Sequence, residues 1–203
     1  MLFAGIFAAL ASSIQVPIGV AALVGGVGGT VSLLVHELGH VRAARRLAGI
    51  RSADVSLIWL GAATRLEGKY ESGREQARVA IAGPQASFAF ALALVGCCLV
   101  PSPLMVKDML LALALFNVFL GVLNLVPAYP LDGYKLIVGL LWSLTGSESK
   151  ARRILRRIGF GWAALEFPTA VVLLLEKPHL GVLVFVTALS FLAQKRFACR
   201  AAV

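Results

Sequence analysis

Apolar runs dominate this chain, and the polar positions that interrupt them are few and clustered. The first 36 residues contain no Asp, Glu, Lys or Arg. A run of about 20 apolar residues can cross the hydrocarbon core of a bilayer as one helix. Such runs are predicted near residues 1–22, 25–47, 77–99, 108–126, 158–176 and 179–194. The first is interrupted by Ser12, Ser13, Gln15 and Pro17. It reads as a retained span, because a secretory leader carries a basic start and no basic residue precedes Arg42. In the second, Gly25 and Gly29 have the G-x-x-x-G spacing that lets helices approach closely. That run ends in Arg42, Arg45 and Arg46, with Gly49 as a helix stop.

Three stretches break the pattern. Residues 53–67 hold two short runs, Asp54–Leu60 and Ala63–Glu67, around Gly61. Neither can span as a helix, and together they read as a β-hairpin. Such backbone is tolerated at membrane depth only when buried in protein or facing a water-filled cavity. Asn124 to Gly133 contains Pro127, Pro130 and Asp132, which force an irregular polar segment. Residues 134–145 then form a short apolar helix. Residues 150–158 carry Arg152, Arg153, Arg156 and Arg157 in an amphipathic pattern, an interfacial helix for anionic headgroups. Ser72 to Ala77 is a polar entry to the third run, where Gly83-Pro84 predicts a kink. The expected fold is an all-α polytopic membrane protein. It has about six transmembrane helices and a short membrane-associated β-hairpin, in one domain over residues 1–203.

Composition agrees. The chain is 59% hydrophobic and 14% charged, with mean hydropathy +0.88. Soluble domains are about 45–50% apolar and about 25% charged. The net charge of +9 raises nucleic acid as a partner, but its distribution argues against that. With alternating spans, all but Lys107 and Lys177 of the 19 basic residues fall on one side. This is the positive-inside pattern, with both termini cytoplasmic. A prokaryotic inner membrane fits, and nucleic acid is not expected as a partner. Cys97, Cys98 and Cys199 form no disulfide or metal framework.

The chemistry sits in His36-Glu37-Leu38-Gly39-His40, an H-E-x-x-H motif inside an apolar run. Ionisable groups in a bilayer are costly and mark function. Residues i and i+4 lie about 40° apart around a helix and about 6 Å along it. His36 and His40 therefore share a face and can reach one zinc ion at about 2.0–2.1 Å. Glu37, beside them, can accept a proton from water. A catalytic zinc needs a third protein ligand. His179, before the last run, falls on the opposite side of the membrane and is rejected. Asp54, Glu67, Glu71 and Glu75 lie in the hairpin and its exit. Asp132 ends the fourth run on the side where the second run carries His40, and that placement selects it. Asp132 has a rival role as a helix cap, and Asn117 reads as interhelical glue.

These motifs, with Ala44-Arg45-Arg46, Ala82-Gly83-Pro84 and Asn124 through Pro130-Leu131-Asp132-Gly133, resemble the site-2 protease family of intramembrane zinc metalloproteases. The likeness runs from about residue 31 to about 195. It implies His36, His40 and Asp132 as zinc ligands, Glu37 as the base and Asn124 as a contact to the substrate backbone. It also implies regulated intramembrane proteolysis near the cytoplasmic face, with the transmembrane segment of another protein as substrate. The chain departs from the family at Gly133-Tyr134-Lys135, where Gly-Gly-Arg is usual. The rival readings are a zinc transporter and a non-catalytic metal-binding membrane scaffold. A transporter needs ionisable residues along a continuous path, which the outer halves of the runs lack.

Overall fold

The computed structural model describes residues 18–58 and 61–158. The first and the last two predicted runs therefore lie almost wholly outside the described residues, as do His179 and Cys199. In chain order the elements are α1 (Ile18–Ala44), β1 (Ile50–Ile58), β2 (Gly61–Gly68), α2 (Gly73–Cys97), α3 (Leu104–Asn124) and α4 (Asp132–Thr145). A further helix, α5, covers 148–158. The molecule is mostly helical with one small antiparallel sheet. Among the described residues, α2 and α3 are long and apolar enough to cross a membrane.

The helix boundaries correct the sequence reading in two places. No break separates residues 22 and 25, because α1 is continuous from Ile18 through the glycines. A helix in an apolar setting keeps its backbone hydrogen bonds internal, and that outweighs the low propensity of glycine. At its other end α1 stops at Ala44 rather than at Gly49. Bonds from Arg45 N to Val41 O (2.9 Å) and Leu47 N to Ala44 O (2.9 Å) close the final turn.

The described residues divide into two compact units: those up to Lys69 with Val79–Asn124, and Tyr70–Arg78 with the residues from Leu125 onward. In the first, Ala91, Leu94, Leu113, Ala114, Phe116 and Leu120 form the buried core. Gly28 of α1 faces Leu113 of α3, and a Cβ there would lie 3.0 Å from the leucine. Buried Asn117 donates through Nδ2 to Ser32 Oγ at 2.8 Å, so it does join α3 to α1. Large apolar side chains such as Leu92, Leu115 and Phe119 are exposed on α2 and α3. A surface of this kind suits lipid rather than water.

The hairpin also belongs to the first unit. Ala53 faces Leu66, Asp54 faces Arg65 and Val55 faces Thr64. Ala53 is buried and Thr64 and Leu66 are partly buried, whereas Asp54, Arg65 and Glu67 are exposed. This two-residue alternation is that of a strand pair covered on one face. A bulge between Ile50 and Ser52 shifts the register near its base.

In the second unit, Ser72 caps α2: Glu75 N donates to Ser72 Oγ at 3.3 Å, and Glu75 Oε2 accepts from Glu71 N at 2.7 Å. The pattern is close to a capping box. Gly73 and Gly139 pack backbone against backbone, since a Cβ on Gly73 would meet Gly139 O at 2.2 Å. Tyr134, Val138, Ala151 and Leu155 form the core between α4 and α5.

Candidate metal centre

The two histidines of α1 are buried, at 2% and 4% exposure. Helical spacing puts them on one face, with His40 Nε2 3.3 Å from His36 Nε2. Two nitrogens about 2.05 Å from one tetrahedral ion stand about 3.3 Å apart. The pair therefore already has the separation that a shared zinc demands.

Helix α2 supplies what holds the rings. His40 Nδ1 lies 2.7 Å from the Val79 carbonyl oxygen. A carbonyl only accepts, so the proton sits on Nδ1 and the lone pair on Nε2. His36 Nδ1 lies 2.9 Å from the Ser87 hydroxyl. Outer partners of this type fix ring orientation in metal sites. Between them lies Gly83, where a Cβ would fall 2.2 Å from His40 Nε2 and 2.8 Å from His36 Nε2. Only glycine leaves that space clear. Gly39 has a matching role on α1, since a Cβ there would meet Ala82 O at 2.5 Å. The room that Gly39 leaves is filled by α2.

Glu37 is held from the hairpin. Its Oε2 accepts from the Thr64 hydroxyl on β2 at 2.6 Å. The carboxylate thus has a partner in the hairpin, and the two imidazoles have theirs in α2.

Asp132 opens α4 and is buried at 5% exposure. The cap residue is Leu131, which makes no side-chain cap bond. A carboxylate in the first turn is favoured by the positive end of the helix dipole. The preceding loop folds tightly: a Cβ on Gly133 would meet Leu125 O at 2.2 Å and Val126 O at 2.3 Å. Lys135 Nζ contacts Asp132 Oδ1 at 3.1 Å. At Gly133-Tyr134-Lys135 the tyrosine is used in the α4–α5 core, stacked edge-on against Tyr129 at 5.8 Å. Nearby Tyr70 has its phenol pushed up to about 12, first by burial and then by the negative charge of Asp132.

His36 and His40 in the first unit and Asp132 in the second are all buried, and all three are residue types that ligate metal ions. The other carboxylates weighed as ligands are used differently. Asp54 is paired with Arg45 at 3.0 Å on the surface, Glu75 caps α2, and Glu67 and Glu71 are exposed. Asn124, at the end of α3, donates to Leu120 O of its own helix at 2.9 Å. Sequence reasoning missed Val79, Ser87 and Thr64. Thr64 had a signal available, since it is a polar residue in phase with the covered positions of a hairpin. Val79 acts through its backbone and Ser87 through a partner 51 residues away, so neither had one.

The chain is similar to a known family and to several named proteins. The model of peptidase family M50 matches residues 27–106 and 103–165. The chain is 34% identical over 138 residues to sll0528 of Synechocystis sp., covering 66% of this chain and 36% of that protein. It is 38% identical over 137 residues to Rip3 of Mycobacterium tuberculosis, covering 62% and 34%. Both are described as candidate zinc metalloproteases. Zinc metalloprotease MJ0392 of Methanocaldococcus jannaschii is 31% identical over 134 residues, covering 64% and 37%. The chain thus spans about a third of the length of these relatives. The fold matches the solved site-2 protease from Methanocaldococcus jannaschii with a TM-score of 0.61 at 23% identity, covering 96% of this chain and 85% of that one.

Proposed function

Because the chain belongs to peptidase family M50, we propose that it is an intramembrane zinc metalloprotease of the site-2 type, with His36, His40 and Asp132 as zinc ligands and Glu37 as the general base. The observation that supports this most is the pair of buried imidazoles on one face of α1, their Nε2 atoms 3.3 Å apart as two ligands of one zinc would be. Two imidazoles and one carboxylate, leaving a fourth position open, make a catalytic zinc set rather than a closed structural one.

Bound zinc would lower the pKa of a water toward about 7 and polarise the scissile carbonyl. The chain's own residues do the rest. Val79 holds His40 in one tautomer, and Val79 and Ser87 together hold the orientation of the two rings. Glu37 takes a proton from the attacking water and returns it to the leaving nitrogen. Burial keeps bulk solvent from the two imidazoles, while partly buried Glu37 stays within reach of water.

The substrate is the transmembrane segment of another membrane protein. A helical peptide bond is shielded by its own hydrogen bonding, so the segment must unwind locally. An extended substrate can then add to a free edge of the two-stranded sheet, with backbone bonds supplying affinity. The amide of Asn124 contributes a further contact to that backbone. The protein forms one transmembrane metalloprotease domain of six spans in a prokaryotic inner membrane. Both termini are cytoplasmic, and hydrolysis occurs toward that face. The two candidate spans and the distribution of basic residues support this topology.

The test is reconstitution of the full chain in liposomes with a model membrane-spanning peptide. Wild type is expected to cleave; Glu37→Gln is expected to be inactive while retaining zinc. Cleavage by Glu37→Gln would overturn the base assignment. Zinc flux across the vesicles without cleavage would overturn the protease reading in favour of transport.

A further inference from the structure

The hairpin is fixed to α1 at two points. At the helix end, Arg45 donates through Nε to Ala53 O at 3.0 Å and through Nη2 to Asp54 Oδ1 at 3.0 Å. Eight residues earlier, about 12 Å back along the helix, Thr64 of β2 reaches Glu37. In the register Thr64 pairs with Val55, one residue beyond Asp54. The Thr64 hydroxyl lies 2.6 Å from Glu37 Oε2 and 3.2 Å from the Glu37 carbonyl oxygen. A hydroxyl has one proton to give, and the shorter approach to the carboxylate takes it. An O–H···O⁻ bond of about 2.5–2.7 Å is charge-assisted and roughly twice as strong as a neutral one. Threonine is also stiff about χ1, so its hydroxyl is aimed by the strand rather than by chance rotation. Glu37 is the sole carboxylate in α1. Among the described residues, Ala53, Val55 and Leu66 share the covered face of the hairpin with Thr64, whose hydroxyl meets that carboxylate.

We infer that Thr64 is a positioning residue for hydrolysis, its hydroxyl holding Oε2 of Glu37 so that Oε1 is the oxygen presented to the proton of the attacking water. The inference rests on Glu37 being the base. It gives the hairpin a second duty: the strand pair proposed to bind substrate also aligns the catalytic carboxylate. Binding and chemistry would then be coupled through one short strand.

The experiment compares wild type, Thr64→Val and Thr64→Ser as full chains in the same liposome assay, with kcat, KM and zinc content measured separately. Valine keeps the branched shape and removes only the hydroxyl; serine keeps the hydroxyl. Misplacing a catalytic group costs up to about 100-fold, so Thr64→Val is expected to lower kcat about 10- to 100-fold, with KM and zinc content unchanged. Thr64→Ser is expected to stay within about three-fold of wild type. If Thr64→Val does not assemble, Thr64→Ala removes the same hydroxyl and carries the same expectation. The inference fails if the hydroxyl-free variant keeps wild-type kcat. It also fails if zinc is lost or KM rises in step, or if serine is as impaired as valine, since those outcomes mark a structural role. The base assignment is judged apart, by Glu37→Gln against wild type, so the two can fail independently.

Discussion

Helix α1 is held differently on two sides. Toward α2 its histidines meet fixed, buried partners: a carbonyl at 2.7 Å, a hydroxyl at 2.9 Å and a glycine whose missing Cβ makes the space. Toward the hairpin its contacts are polar and partly open, a hydroxyl on Glu37 and an ion pair whose side chains are 62% and 65% exposed. The difference fits the chemistry proposed for each side. Metal ligands must stay in one geometry, and close packing gives few alternatives. A base must accept and release a proton, and a hairpin that admits substrate must have room to adjust. Rigidity and adjustability are thus built onto one helix, separated by its rotation.

The largest expected effect would come from breaking the rigid side. In Gly83→Ala the new methyl would occupy the place of the His40 nitrogen. Zinc content, measured by elemental analysis of the purified protein, should fall at least about ten-fold and cleavage with it, because backbone and imidazole cannot both yield. Retention of full zinc would show that the α2 side adjusts after all. Next in size, Ser87→Ala removes the partner of His36 without adding bulk. Metal affinity in a competition titration with a chelator should drop about 10- to 100-fold while the fold persists. The smallest effect belongs to the open side. Arg45→Ala removes an exposed ion pair worth about 0.2–1 kcal/mol, together with one bond to the Ala53 carbonyl. Activity should fall less than about ten-fold, with zinc content untouched. A loss as deep as that of Gly83→Ala would mean that the hairpin is as rigidly required as α2, and the contrast would dissolve.

The apolar runs that became α2 and α3 were legible because a membrane-crossing helix needs only length and hydrophobicity. The H-E-x-x-H spacing was legible because helical periodicity is a local rule that puts i and i+4 on one face. The hairpin was legible only as two short runs near a glycine, and its register was not, since pairing depends on what covers one face. Asp132 could be singled out, but not the reason it is held where it is. That reason is Gly133 folding onto the carbonyls of Leu125 and Val126, a matter of a few tenths of a nanometre of backbone.

By itself, then, the sequence determined the identity of the side chains proposed for the site and the helix that carries three of them, His36, Glu37 and His40. Tertiary structure alone decided which atoms steady them: Val79 O, 39 residues from His40, Ser87 Oγ, 51 residues from His36, and Thr64 Oγ1, 27 residues from Glu37. Periodicity acts over a few residues and can be read along the chain. A hydrogen bond between distant segments depends on packing that no local pattern encodes.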